Sequence, residues 1–203
     1  MSVPKVAIII HTTFGTIHKL AEAEKAGIEK AGGKVDLYQI PETLPADILA
    51  KMNAAPKPDY PIITPDKLAE YDAFLLGIPA AFGAIPSQWK SFLDSTGQIW
   101  ATGGLAGKYA GVFVSTGGQG GGQEVTTISV LSTLVHHGII FVPLGYTHAL
   151  EQQGSLEEVH RGSPWAAGAF SGHGGSRKPS ELEFEIARRQ GVGFWNTVSK
   201  VKF

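Results

Sequence analysis

Four apolar runs without polar alternation punctuate the chain: Val6–Ile10 (VAIII), Ala73–Ile78 (AFLLGI), Ala110–Val114 (AGVFV) and Ile139–Val142 (IIFV), with a weaker run at Val35–Tyr38. Alternation would mark a strand with one face in water. An unbroken apolar run bounded by turn residues marks a strand covered on both faces, as in a parallel sheet sandwiched between helices. Between the runs the apolar spacing becomes helical: Ile17, Leu20, Ala21 and Ile28 follow the first strand, Trp89, Phe92 and Leu93 the third, and residues 123–137 the fourth. Near the C-terminus, PSELEFEIARRQG sets Ser180 three residues before Glu183, a capping box that predicts a helix start, and the helix is expected to stop at Gly191.

Five strands alternating with helices predict an α/β fold with an open, doubly wound parallel sheet. The chain reads as one domain, 1–203, with two segments beyond the minimal alternation: a Pro-rich connection at about 41–65 and a long stretch at about 145–178. In this architecture ligands bind beyond the carboxyl ends of the strands. Three unusual loops fall there: HTTFGT after the first strand, PAAFGAIP after the third and STGGQGGG after the fourth.

Composition narrows the classes. With 43% hydrophobic residues, 17% charged residues and a net charge of −1, neither disorder nor a field for nucleic acid is indicated. Cysteine is absent, which excludes disulfides, thiolate metal sites and cysteine nucleophiles and suits a cytoplasmic protein. No stretch approaches the roughly 18 apolar residues of a membrane span, so a soluble protein is expected. The 26 glycines concentrate in TGGLAG, STGGQGGGQ and SGHGGS, loops that let backbone approach a partner closely.

A strand, a loop of amides and hydroxyls, then a helix N-terminus is a ready anion site. Thr12, Thr13 and Thr16 can donate hydroxyls and Gly15 lets the chain turn, yet the same threonines would also serve as helix caps with no ligand; the loop alone does not choose. The dinucleotide G-x-G-x-x-G motif, the Walker A run and the G-x-S-x-G elbow are all missing, and the seven histidines form no zinc spacing. What remains is a phosphate held without lysine beside aromatic and glycine-rich loops. Flavin mononucleotide fits that description, with Phe82 and Trp100 as candidate ring contacts, although ordinary packing is the commoner fate of an aromatic side chain.

The blocks PAAFGAIPSQWKSFLDSTGQIWATGGLAGKYAGVFVSTGGQGGGQE, LVHHGIIFVPLGY and RGSPWAAGAFSGHGGSRKPSELEFEIARRQG resemble the WrbA family of flavodoxin-like, FMN-dependent NAD(P)H:quinone oxidoreductases, and the long STGGQGGGQE loop resembles its fungal branch. The resemblance implies a five-stranded flavodoxin fold of order 2-1-3-4-5, non-covalent FMN, NADH or NADPH as co-substrate, and a homotetramer or homodimer whose sites neighbouring subunits complete. It places the phosphate loop on Thr12, Thr13, Phe14, Gly15, Thr16 and Ile17. The second flavin loop falls on Pro79, Ala80, Ala81, Phe82 and Gly83, the third on Ser115, Thr116, Gly117, Gly118, Gln119, Gly120 and Gly121. His136 matches a flavin-contacting, catalytic histidine, while Trp100 and Phe14 match substrate-side positions.

The implied reaction is a two-electron relay from NAD(P)H through FMN to a quinone. No nucleic-acid partner, integral membrane segment or metal is expected, and the location is cytoplasmic, with peripheral attachment at the plasma membrane as a variant. Family members read P-T-R-[FY]-G where this chain has PAAFG, so Ala80 and Ala81 stand in place of a hydroxyl and a guanidinium. Gly174 stands where an aspartate is expected to meet Arg177, and Thr16 where the first loop usually carries histidine. A flavodoxin-like oligomeric scaffold with weak or absent FMN binding is the alternative that PAAFG keeps open.

Overall fold

In this computed structural model, which describes residues 3–203, the apolar runs form the centre of one sheet. Its strands are β1 (Val6–Ile10), β2 (Val35–Gln39), β3 (Ala73–Pro79), β4 (Tyr109–Thr116), β5 (Ile140–Phe141), β6 (Gly162–Ser163) and β7 (Ala166–Phe170). The order is β2-β1-β3-β4-β7-β6, with β5 also on β4, and every pairing is parallel except β6 with β7. The helices are α1 (Thr16–Lys30), α2 (Ala46–Lys51), α3 (Pro65–Ala69), α4 (Ser87–Asp94), α5 (Gly97–Ala101), α6 (Gln123–His136), α7 (Leu150–Gln153) and α8 (Glu181–Val198). Successive strand residues feed opposite cores. Ile8, Ile10, Leu75 and Phe113 pack with α1 and α8, while Ile9, Phe74, Leu76 and Val112 pack with Trp89, Phe92 and Leu134 on the other face. Among the described residues no helix is long and apolar enough to cross a membrane.

The strand order 2-1-3-4 is as expected, but the described residues form seven strands where five were expected. The run Ile139–Val142 supplies only two paired residues, which lie against Tyr109 and Ala110. The chain then leaves the sheet, and β7, inside the supposed 145–178 insertion, returns to pair with Phe113–Thr116. Its sequence, AAGAF, carries almost no β-branched signal because the position demands small residues. A Cβ on Gly168 would sit 2.2 Å from both the Arg161 Nη1 and the Val114 carbonyl oxygen. Between the two half-strands the ladder is broken, and the Gln190 side chain of α8 fills the gap. Its Nε2 donates to the Val112 carbonyl (2.9 Å) and its Oε1 accepts from the Ala167 N–H (2.8 Å).

The capping box at Ser180 and Glu183 forms as expected, but α8 does not stop at Gly191; it runs on to Val198. That glycine serves helix packing, not termination. A Cβ there would lie 2.2 Å from the Glu24 carbonyl oxygen, and one on Gly27 would lie 2.0 Å from that of Arg188, so α1 and α8 touch backbone to backbone.

At this contact Glu24 is fully buried and neither carboxyl oxygen has a hydrogen-bond partner. Burial pushes its pKa well above the ordinary 4.5. A buried polar atom without a partner costs about 1–3 kcal/mol, so Glu24→Leu is expected to stabilise the fold by about that much near pH 8. Because the folded carboxyl binds its proton more tightly than the unfolded one, the native protein gains stability as pH falls through the folded pKa. The advantage of the variant should therefore shrink on acidification, as urea midpoints at pH 8 and pH 5 (about three units apart) will report.

Candidate active site

A cleft of about 690 Å³ opens beyond the carboxyl ends of β1, β3 and β4, within the size range of small-molecule sites. Its floor is the first loop. Gly15, at φ +80°, is the N-cap of α1 and carries no side chain to cap the helix, so the first N–H groups of α1 keep their donors free of a side-chain cap. Thr12 Oγ1 is turned back to accept from the Gly15 N–H (3.0 Å), and Thr12, Thr13, Phe14 and Thr16 all line the cleft. The Ile17 side chain is buried in the core against Gly77, so only its backbone can serve a ligand.

The second loop supplies wall, not donors. Ala80 N–H goes to the Ser115 carbonyl (2.8 Å), while Ala81 and Ala84 exchange N–H···O bonds of 2.9 Å across a two-residue turn. Phe82 and Gly83 form that turn with φ of +52° and +74°, the geometry of a type I′ hairpin. Positive φ is strained for phenylalanine, and here it places the ring fully exposed on the rim of the cleft. Pro79, Ala80 and Ala81 line the same wall.

The third loop closes the other side with Ser115, Thr116 and Gly117, while Gly118, Gln119, Gly120 and Gly121 curl beyond the cleft lining. Thr116 Oγ1 donates to the Gly118 carbonyl (3.1 Å), and a Cβ on Gly122 would sit 2.5 Å from the Gly83 Cα, so the second and third loops meet at two glycines.

Several lining residues were not anticipated. Leu44 and Met52 come from the 41–65 segment, Ser87 and Gln88 from the start of α4, and Ser171, Gly172, His173 and Gly174 from the segment after β7. The last group left a trace in the sequence as the glycine cluster SGHGGS, and the 41–65 segment as a Pro-rich connection beyond the minimal alternation. Among the described residues no Lys, Arg, Asp or Glu lines the cleft.

A cation does reach the first loop from behind. Lys57 Nζ donates to the Thr12 carbonyl (2.7 Å) and pairs with Glu42 at 2.6 Å. Burial works against the Glu42 charge, but hydrogen bonds from Lys57, the Leu44 N–H and Gln88 outweigh it and hold the pKa at about 2. His11, at the end of β1, is lowered to about 4 by burial and by Lys57, so it is neutral near pH 7.

Trp100 and His136 are together, but away from the cleft. The Trp100 indole N–H donates to the His136 carbonyl (2.8 Å), and both residues are exposed. Helix α6 starts beside the third loop and runs about 21 Å back along the sheet before reaching His136. Within one chain neither residue meets the cleft. Arg177 is not idle without an aspartate at 174: it pairs with the Glu183 carboxylate (2.6 Å), donates to the Phe170 carbonyl (2.9 Å) and lies over the Phe170 ring.

The family model described as NADPH-dependent FMN reductase matches residues 4–153. The chain is 60% identical to the NAD(P)H quinone oxidoreductase PST3 of Candida albicans over 197 residues, covering 97% of this chain and 99% of that protein. It is 56% identical to the Protoplast secreted protein 2 of Saccharomyces cerevisiae over the same length and shares. Among solved structures, a flavodoxin, WrbA-like protein from Agrobacterium tumefaciens superposes with a TM-score of 0.68 at 22% identity, covering 98% and 99% of the two chains. Flavodoxin 2 from Bacillus cereus follows at 0.61 and 15%, covering 95% and 99%, and both likenesses bear on the fold alone. The strand order, the cleft at the strand ends and these matches together mean that the chain belongs to the NADPH-dependent FMN reductase family, in a flavodoxin-fold branch shared with its fungal relatives.

Proposed function

We propose that the protein is an FMN-dependent NAD(P)H:quinone oxidoreductase that reduces quinones to hydroquinones by two electrons. One observation carries the reading: an uncharged cleft with an uncapped helix N-terminus at its floor, in a chain 60% identical to a protein named for that activity. The residues present fit the cofactor. A phosphate needs convergent N–H and O–H donors, which the start of α1 and the hydroxyls of Thr12, Thr13 and Thr16 provide. A flat, nearly neutral ring needs apolar walls and close backbone, which Pro79, Ala80, Ala81, Phe82 and Gly117 provide. When bound, FMN supplies a two-electron carrier between reduced nicotinamide and quinone. The N–H of Gly117, the one residue of the 117–121 run that lines the cleft, is assigned to stabilise negative charge at the polar edge of the ring.

His136 and Trp100 are assigned to the substrate side of a neighbouring subunit's site. The support is an exposed apolar stripe on α6, formed by Val125, Ile128 and Val135, which runs from the third loop to Trp100 and His136. A second copy laid antiparallel on that stripe would carry its Trp100 and His136 toward this chain's Phe82, as in a homotetramer. His136 would there donate a hydrogen bond or proton, and Phe14 and Trp100 would face the incoming nucleotide and quinone. A cytoplasmic location fits a cysteine-free chain that draws on NAD(P)H.

Titration of the apoprotein with FMN is expected to show binding at micromolar levels or tighter. The loaded protein should oxidise NADH or NADPH with benzoquinone, forming one hydroquinone per nicotinamide consumed. Absence of FMN binding at micromolar concentration would remove the enzyme reading, and a monomer by sedimentation under assay conditions would remove the roles given to His136 and Trp100.

A further inference from the structure

The first loop has its carbonyls pulled away from the cleft at two successive positions. Lys57 Nζ holds the Thr12 carbonyl at 2.7 Å, and the Ala55 N–H holds the Thr13 carbonyl at 2.8 Å. In a trans peptide unit the C=O and the N–H point in opposite directions. Fixing the Thr12 carbonyl therefore aims the Thr13 N–H the other way, and fixing the Thr13 carbonyl does the same for the Phe14 N–H. Both of those residues line the cleft.

The clamp is built from the 41–65 segment. Asn53, at φ +53°, turns the chain out of α2, the Ala54 N–H closes on the Leu49 carbonyl, and the following residues then run behind the loop. Lys57 is fixed in turn by Glu42, whose other oxygen accepts from the Thr43 and Leu44 N–H groups and from Gln88, itself a cleft-lining side chain. The ion pair is neutral overall, so its main effect on an anion in the cleft is through backbone orientation, not through net charge.

We propose that Lys57 is a positioning residue for phosphate recognition: with Ala55 it presets the Thr13 and Phe14 N–H groups toward the cleft, making the 53–57 segment a back clamp on the anion-binding loop. This rests on the reading of residues 12–17 as the FMN phosphate loop. A clamp of this kind acts on the phosphate and leaves ring binding alone, so FMN and riboflavin, which differ by the phosphate, separate it from a general structural role.

Apoprotein affinities for FMN and riboflavin are to be measured for the native protein, Lys57→Met and Lys57→Gln. The native protein should prefer FMN. Lys57→Met, which keeps the length of the side chain without a donor, should lose about tenfold in FMN affinity with riboflavin affinity unchanged, and Lys57→Gln, which keeps a donor, should recover most of the loss. Equal native affinity for the two flavins would overturn the phosphate-loop reading itself. A native preference that Lys57→Met retains, or a loss shared equally by both flavins, would overturn the clamp alone. Should Lys57→Met not fold, the native protein still decides: the amide protons of Thr13 and Phe14 should differ in chemical shift between the FMN and riboflavin complexes. Coincident shifts for both amides would overturn the proposal.

Discussion

Thr12→Asp is expected to weaken FMN binding by about a hundredfold or more while leaving riboflavin binding within a few-fold of native. The substitution is well tolerated by the fold on physical grounds. Thr12 Oγ1 accepts from the Gly15 N–H at the start of α1, and an aspartate oxygen can take the same bond. A carboxylate beside a helix N-terminus is favoured by the uncapped N–H groups and the dipole, so the apoprotein should melt at the same temperature or slightly higher. The same groups are the ones assigned to the phosphate. A carboxylate among them both occupies the donors and repels the ligand: like unit charges about 5 Å apart at an effective dielectric near 20 repel by about 3 kcal/mol. Among the described residues no Lys or Arg lines the cleft to offset this, and Lys57 is already paired with Glu42. The penalty should ease at high salt, since the cleft is open to solvent. Native-like FMN affinity in a folded Thr12→Asp protein would place the phosphate elsewhere.

The parts of the fold that the sequence expressed clearly are those whose residues answer to burial alone. Val6–Ile10 and Ala73–Pro79 are buried on both faces, and an apolar run is the direct consequence. The strand Ala166–Phe170 was hidden because close packing against Arg161 and Val114 requires small side chains, which remove the β-branched pattern that identifies a strand. Gly191 misled for a related reason. A glycine near the end of a helical pattern signals a stop, but here it is where Glu24 of a neighbouring helix comes within contact of the backbone. The cleft shows the same division. Loops that immediately follow a strand were legible, since the architecture dictates where ligands bind. Leu44, Met52, Lys57 and Gln88 were not, because they reach the site through tertiary placement of the 41–65 segment and of α4. The contrast explains why a first loop without any cation of its own has one behind it.

Gln190→Leu is expected to cost about 2–6 kcal/mol, because each of the two backbone groups it leaves behind is worth about 1–3 kcal/mol when buried and unpartnered. Gln190 is buried, and its amide replaces the ladder bonds missing where β5 ends and β7 begins: it donates to Val112 and accepts from Ala167. Leucine is close in size and apolar, so packing is largely kept and the loss falls on the orphaned carbonyl and N–H. Gln190→Glu isolates the donor half. A carboxylate can still accept from the Ala167 N–H but confronts the Val112 carbonyl with a second acceptor, whereas the protonated acid can donate to it. The folded state therefore raises this carboxyl's pKa, and stability should be lowest at neutral pH and rise as pH falls through the folded value. Urea unfolding across pH reads this directly. Native stability in both variants at every pH would mean that the side chain matters for its volume alone. The consequence also extends to the cleft. Strand β7 leads straight into Ser171–Gly174, one wall of the site, so both variants should bind FMN more weakly where they remain folded.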